Sequence, residues 1–265
     1  MELTDILIPI GIFAGLGILF GVVLAVASHL FSIKLDERIP QVQENLPGAN
    51  CGGCGYTGCA QLAEAIVKGE ATPDRCNACN GENLKKIGEI MGIEVSDPVP
   101  VCAHVMCSGN KHTTAFKYHY EGAKDCIAAQ KMGGGDKACP NGCIGLGTCL
   151  SVCKYDAIHI EDGVAVVDEK KCVGCGGCAK VCPMHIIKII PVSSNYCVAC
   201  RSVEKGAITR KMCETGCIAC RICEKNCPVG AITVTDFCAH IDQKKCIGCG
   251  KCAEKCPRHI IKPCS

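Results

Sequence analysis

Cysteine spacing constrains this chain more than any other feature. Two runs are nearly identical: Cys217, Cys220, Cys223 and Cys227 before Pro228, and Cys246, Cys249, Cys252 and Cys256 before Pro257. Each reads C-x2-C-x2-C-x3-C-P, a spacing that holds 4Fe–4S clusters. A cubane cluster needs four thiolates at the corners of a tetrahedron. Three come from one tight loop, and the cysteine before proline ligates the other cluster of the pair. The expected sets are Cys217, Cys220, Cys223 and Cys256, and Cys246, Cys249, Cys252 and Cys227. Zinc also binds C-x2-C pairs. Four thiolates within eleven residues, twice, each run closed by proline, make a poor zinc ribbon.

The same pattern recurs upstream with one change. Cys172, Cys175, Cys178 and Cys182 before Pro183 form an intact run. Aligning Gly142-Cys143-Ile144 with Gly216-Cys217-Ile218 matches Cys149 to Cys223, Cys153 to Cys227 and Cys139 to Cys213. Leu146 then stands where Cys220 is a ligand, so this unit lacks one expected cysteine. Cys139, four residues before Cys143, is the simplest replacement. Crossing the fourth ligands predicts one set of Cys139, Cys143, Cys149 and Cys182, and another of Cys172, Cys175, Cys178 and Cys153. Ala157-Ile158 and Ala231-Ile232 follow the fourth cysteines at the same offset, and apolar runs at Val164–Asp168 and Ala239–Asp242 read as strands. A short helix is expected after each cysteine loop.

A fifth set lies nearer the N-terminus: Cys51, Cys54 and Cys59 in a glycine-rich loop, then a gap of sixteen residues to Cys76. Glycine lets the backbone fold closely around a cluster and turn N–H groups toward sulfur. Helical periodicity is expected over Ala60–Lys68 and Asn83–Met91, the second stopping near Gly92. Cys79, three residues past Cys76, is an alternative fourth ligand. Twenty of the 29 cysteines are thus placed in five sets. Cys102, Cys107 and Cys126 share no tight loop and default to structural thiols. Cys197, Cys200, Cys213, Cys238 and Cys264 lack a complete set and read as structural or semi-exposed. Any sixth cluster would draw on these leftover cysteines.

Composition agrees with a metal-built body. The 265 residues include no Trp, five Phe and five Tyr, too few for a large aromatic core. Metal–ligand bonding supplies folding free energy that loop-rich domains lack. The odd cysteine count and the spacing argue for a reducing compartment rather than a secreted disulfide scaffold. A net charge of +2 gives no reason to expect nucleic acid. Neither G-x-G-x-x-G opening a helix nor G-x4-G-K-[ST] occurs, so no nucleotide site is evident. The histidines are scattered, and no catalytic residue is expected. His185 and His259 follow Cys-Pro at matching positions, and Lys171, Lys244 and Lys245 read as a solvated face.

Residues Ile6 to Ile33 carry no Asp, Glu, Lys or Arg. That length spans a hydrocarbon core of about 30 Å. A single transmembrane helix is expected. Glu2 and Asp5, with no basic residue before the apolar run, are wrong for a signal peptide. Lys34 and Arg38 follow the helix, which places the body on the cytoplasmic side of the cell membrane. Gly11-x3-Gly15 and Gly17-x3-Gly21 would let a partner helix approach. His29 lies inside the run and reads as interfacial or helix-packed.

A membrane helix, then L-P-G-A-N-C-G-G-C-G-Y-x-G-C over Leu46–Cys59, then ferredoxin repeats, resembles the iron–sulfur B subunit of the Rnf complexes, ion-translocating ferredoxin:NAD oxidoreductases. The likeness covers essentially the whole chain. The family's usual proline after the loop tyrosine is Thr57 here, and its P-G-G after the fourth cysteine reads Asn77-Ala78-Cys79-Asn80-Gly81. The resemblance favours Cys76 over Cys79. The five cysteine sets imply five 4Fe–4S clusters on iron, and the resemblance implies soluble reduced ferredoxin as electron donor and partner subunits that bind flavin and NAD or span the membrane and move Na+ or H+. A different reading is an electron-transfer component of a hydrogenase or dehydrogenase, or of a complex that reduces a redox regulator. The expected fold is α+β. It comprises an anchor at 1–33, an iron–sulfur domain at 34–95, a connecting segment at 96–138, a two-cluster ferredoxin unit at 139–190, a connector at 191–212 and a second unit at 213–265.

Overall fold

The computed structural model describes residues 3–30 and 36–264. The chain divides into Met1–Glu37 and Arg38–Ser265. The first unit is one helix, α1 (Leu3–Leu30). Its side chains are described at Gly11 and Phe13–Ser28, where large apolar groups such as Phe13, Ile18 and Leu24 are exposed. Among the described residues no helix is long and apolar enough to cross a membrane, so the expected span is taken up below as a proposal. The His29 side chain and Lys34 lie outside the described residues.

The second unit begins with three helices: α2 (Arg38–Asn45), α3 (Cys59–Val67) and α4 (Gly81–Met91). Val42, Leu46, Leu62, Ile66, Leu84 and Ile87 recur at helical spacing and close into one buried core. The Asn80 side chain accepts from Asn83 N–H at 2.7 Å and caps α4, and Gly92 ends it in the left-handed region (φ 68°).

Two units of the same design follow. In the first, β1 (Val101–Val105) pairs antiparallel with β4 (Ile187–Pro191), and β2 (Ile158–Glu161) with β3 (Val164–Val167). In the second, β5 (Tyr196–Val198) pairs with β8 (Ile261–Pro263), and β6 (Ile232–Thr235) with β7 (Cys238–Ile241). Helices α5 (Cys126–Lys131) and α8 (Gly206–Met212) precede the first cysteine loop of each unit. Short helices follow the loops: α6 (Thr148–Ser151), α7 (Gly177–Val181), α9 (Ile222–Lys225) and α10 (Lys251–Glu254). The segments expected as connectors thus contain strands. β1 comes from 96–138 and β5 from 191–212, and each closes its unit by pairing with that unit's last strand.

The four cysteine loops share one backbone device. Two left-handed residues alternate in each: Gly145 and Gly147, Gly174 and Gly176, Ala219 and Arg221, Gly248 and Gly250. Alternation of this kind turns successive N–H groups into a concave nest. Ala219 (φ 53°) and Arg221 (φ 57°) adopt it without glycine's freedom. Arg221 is held there by Glu224 at 3.2 Å and by the Val234 carbonyl at 3.3 Å.

The helical domain docks on the first unit through backbone. Lys180 Nζ donates to the Gly52 carbonyl, and a Cβ on Gly53 would lie 1.8 Å from the Cys175 carbonyl oxygen. Gly53→Ala is therefore expected to destabilise this junction by about 1–3 kcal/mol, as overpacking does. Anaerobic thermal unfolding of the full chain measures it, and an unchanged midpoint would contradict the close approach.

Candidate iron–sulfur sites

The α2–α4 domain opens a cavity between the Cys51–Cys59 loop and the residues before α4. Cys51, Cys54, Cys59 and Cys76 all line it, with about 20 Å³ open to the centre of a water-sized sphere. Asn50 fixes one end by accepting from Cys59 N–H at 2.7 Å. Cys79 does not line this cavity. It is buried in the helical core, with its thiol 3.6 Å from the Asn45 carbonyl. Of the two alternatives, only Cys76 lines the cavity. Burial pushes the Cys76 thiol up to about 11. Cys175 also lines the cavity, and its thiol is hydrogen-bonded to Cys51.

A second cavity of the same size lies in the first ferredoxin unit. Its cysteines are Cys126, Cys143, Cys149 and Cys182. Cys139, expected here as the substitute ligand, is absent from the lining, and Cys126 takes its place. The reason is local. Cys126 opens α5, and its N–H donates to Thr148 Oγ1 at 2.7 Å while Asp125 caps the helix. The helix end is thereby tied to the start of α6, beside Cys149. Leu146 packs against the small cluster of Cys126, Ala129 and Ile144. Burial, then neighbouring thiols, push Cys149 up to about 12. Burial also pushes Cys143 up to about 11.

The other three expected sets are arranged by the repeat. Cys178 feels burial first and then Cys175, Cys172 and Cys153, which bring its thiol to about 12. Cys223 feels burial, then Cys217, Cys256 and Cys220, and rises to about 11. Cys252 is raised by burial and by Cys246 and Cys249. Cys153 accepts from Ala157 N–H at 3.4 Å, and Cys227 from Ala231 N–H at 3.2 Å. The two crossing ligands are therefore seated alike.

Cys139 lines a third cavity, together with Cys107, Cys200 and Cys213. Cys200 and Cys213, expected as structural or semi-exposed thiols, come from the second unit. One signal in the sequence points to this grouping: Cys139 and Cys213 occupy matching positions four residues before Cys143 and Cys217. Cys102 is buried on β1. Cys197 and Cys264 form a disulfide across the β5–β8 edge. The Cys238 thiol donates to the Cys200 carbonyl at 3.2 Å, beside the Cys200 and Cys217 thiols. This holds both below the ordinary thiol value and raises Cys238 itself. His185 and His259 take left-handed turn positions (φ 50° and 48°). Lys171 and Lys245 make surface ion pairs with Asp156 and Asp242 at 3.2 and 3.8 Å.

The donor chemistry fits a multi-atom cluster. Among the described residues no group of three or more His, Cys, Asp or Glu is placed to hold a single metal ion. Tetrahedral zinc on thiolates needs sulfurs about 3.8 Å apart. Here the cysteines ring voids and receive backbone N–H groups, as 4Fe–4S clusters require.

Comparison with known proteins places these sites in a wider group. Residues 46–78 match the family described as "Putative Fe-S cluster", residues 142–186 the "4Fe-4S dicluster domain" and residues 239–262 the "4Fe-4S binding domain". The B subunit of the Na(+)-translocating ferredoxin:NAD(+) oxidoreductase complex of Acetobacterium woodii is 44% identical over 98% of this chain and 78% of its own length. The B subunit of the ion-translocating oxidoreductase complex of Methanosarcina acetivorans is 43% identical over 96% of both chains. The proton-translocating counterpart from Clostridium ljungdahlii is 39% identical over 93% of this chain and 88% of its own.

Replacing Cys126 separates the two assignments for the second cavity. Cys126→Ser is expected to remove one cluster, about four iron per chain, whereas Cys79→Ser keeps the full content. Iron and sulfide analysis with low-temperature EPR reads both, and full iron in Cys126→Ser would return the missing ligand to another residue.

Proposed function

The chain belongs to the family of B subunits of ion-translocating ferredoxin:NAD(+) oxidoreductase complexes, and we propose that it is the iron–sulfur electron-transfer component of such a complex. In this reading it takes electrons from reduced ferredoxin and passes them to partner subunits. Those partners carry the flavin and NAD sites and the polytopic membrane parts that move Na+ or H+. The observation that carries the reading is the succession of cysteine sets within one compact unit.

The assigned ligands are Cys51, Cys54, Cys59 and Cys76; Cys126, Cys143, Cys149 and Cys182; Cys172, Cys175, Cys178 and Cys153; Cys217, Cys220, Cys223 and Cys256; and Cys246, Cys249, Cys252 and Cys227. A bound 4Fe–4S cluster supplies one-electron redox chemistry at a potential set by its surroundings. The chain's own residues provide those surroundings. Cys149, Cys178, Cys223 and Cys252 are buried, so protein rather than bulk water surrounds these sulfurs. Ala103 N–H donates to Cys172 Sγ at 3.4 Å, which stabilises a thiolate and fixes the loop on β1. The Cys51–Cys175 contact sets the first and third ligand sets side by side. Cys149 and Cys178 do the same for the second and third.

Support for a membrane anchor comes from the uncharged run Ile6–Ile33 and from α1, whose 28 residues measure about 42 Å at 1.5 Å each. We place α1 in the cell membrane as a single span, with the ferredoxin body on the cytoplasmic side.

Two measurements test this function. The full chain in detergent, purified anaerobically, is expected to be bleached in the visible range by reduced ferredoxin while forming no NADH. Robust NADH formation without partners would refute the division of labour. Deleting residues 1–35 is expected to move the chain from the membrane to the soluble fraction, and retention at the membrane would remove α1 as the anchor.

A further inference from the structure

Cys197 on β5 and Cys264, one residue past β8, are joined by a disulfide across 67 positions of sequence. The design shared by the two ferredoxin units does not call for this bond. Cys197 pairs with Lys262 and precedes Cys200 by three residues, just as His104 pairs with Lys188 and precedes Cys107 by three. The matching positions in the first unit are therefore His104 and Ile190, and that unit closes its β1–β4 ribbon without a covalent tie. On the cytoplasmic side proposed for the body, disulfides are rare, and those present are usually catalytic or redox-sensing.

The bond lies beside a cysteine loop and is largely covered. Cys197 is 4% and Cys264 8% exposed, which leaves an attacking thiolate little access. The residues around the bond pack on the Cys246–Cys252 loop. A Cβ on Gly248 would lie 2.6 Å from the Asn195 side chain, and one on Gly250 would lie 2.7 Å from Tyr196 Oη. The Asn195 carbonyl accepts from Cys264 N–H at 3.1 Å. Gln243, three residues before Cys246, donates to the Tyr196 carbonyl at 2.8 Å, and its Nε2 lies 3.9 Å from Cys197 Sγ. Both cysteines also border space for water. Cys197 lines a cavity of about 410 Å³ and Cys264 one of about 320 Å³, each ample for several water molecules.

We propose that Cys197–Cys264 is a redox-active disulfide, reduced from within the chain through the neighbouring set of Cys246, Cys249, Cys252 and Cys227. The inference rests on the electron-transfer reading and extends it to a centre without metal. Reduced ferredoxin supplies the electrons, and the cluster hands them on one at a time. Two electrons enter the S–S bond and break it, and two protons from cavity water leave two thiols. Two one-electron equivalents of ferredoxin are oxidised in exchange. Electrons at a ferredoxin potential are reducing enough to open an ordinary structural disulfide. The pair thus holds two electrons where each cluster holds one.

The test uses the full chain in detergent with its clusters loaded, first oxidised and then kept anaerobic. Reduced ferredoxin is added, and the chain is unfolded in excess N-ethylmaleimide, which also traps released sulfide. Mass spectrometry of its peptides is expected to find Cys197 linked to Cys264 before reduction and both carrying maleimide after it. Glutathione in place of ferredoxin should leave the linked peptide intact. Reductive titration of Cys197→Ser/Cys264→Ser should take up two electrons fewer than the parent, at unchanged iron content. Bleached clusters with the linked peptide retained would overturn the inference and leave the electron-transfer reading standing. No bleaching by ferredoxin would overturn both. Free thiols at Cys197 and Cys264 in the oxidised chain, or opening by glutathione as fast as by ferredoxin, would also overturn the inference. Should the double variant fail to fold, the peptides of the parent decide alone.

Discussion

Buried sulfur is the constraint on which the ferredoxin body depends. Cys143, Cys149, Cys178, Cys217, Cys223, Cys252 and Cys256 occupy the cores of the two units, among small aliphatic side chains such as Ile158, Val164, Ile232 and Val234. Burial first, and then neighbouring thiols, push several of these thiols toward 11 or 12, away from the thiolate that binds iron. Metal coordination reverses that preference and supplies folding free energy at the same time. A chain with no Trp and few other aromatics then has the centre that its apolar side chains do not furnish.

The backbone is shaped to the same end. Each cysteine loop alternates left-handed residues so that N–H groups face inward, and the geometry is kept even where Ala219 and Arg221 replace glycine. Antiparallel strand pairs hold the loops at a fixed distance from one another. The helical domain adds its own sulfur-lined cavity and presses Gly53 against the Cys175 carbonyl. Close backbone contact of this kind leaves little freedom at the junction, so adjacent ligand sets are held in register.

Duplication explains which features were legible in the sequence and which were not. Matching runs such as Cys172–Cys182 and Cys246–Cys256 announce their loops, the short helices after them and the strands β3 and β7. The helices α3 and α4 are visible from apolar periodicity. The loss of a cysteine at Leu146 is visible too, but which other cysteine lines that cavity is not. Cys139 is nearer in sequence, yet Cys126 reaches the cavity because Thr148 and Asp125 dock α5 there. The segments 96–138 and 191–212 look like connectors because β1 and β5 are short and have partners far along the chain.

Cysteines within three residues of one another are assignable from sequence because a tight loop allows them few arrangements. The loop conformation itself points such triples at one centre. For Cys107, Cys126, Cys139, Cys200 and Cys213 the chain between the cysteines that meet in one cavity is long, and spacing carries no geometric information. Their placement is decided by tertiary structure: by β1 pairing with β4, by β5 pairing with β8, and by the helices α5 and α8 packed beside their loops. Local sequence specifies a ligand set only where the backbone between its members is too short to choose otherwise.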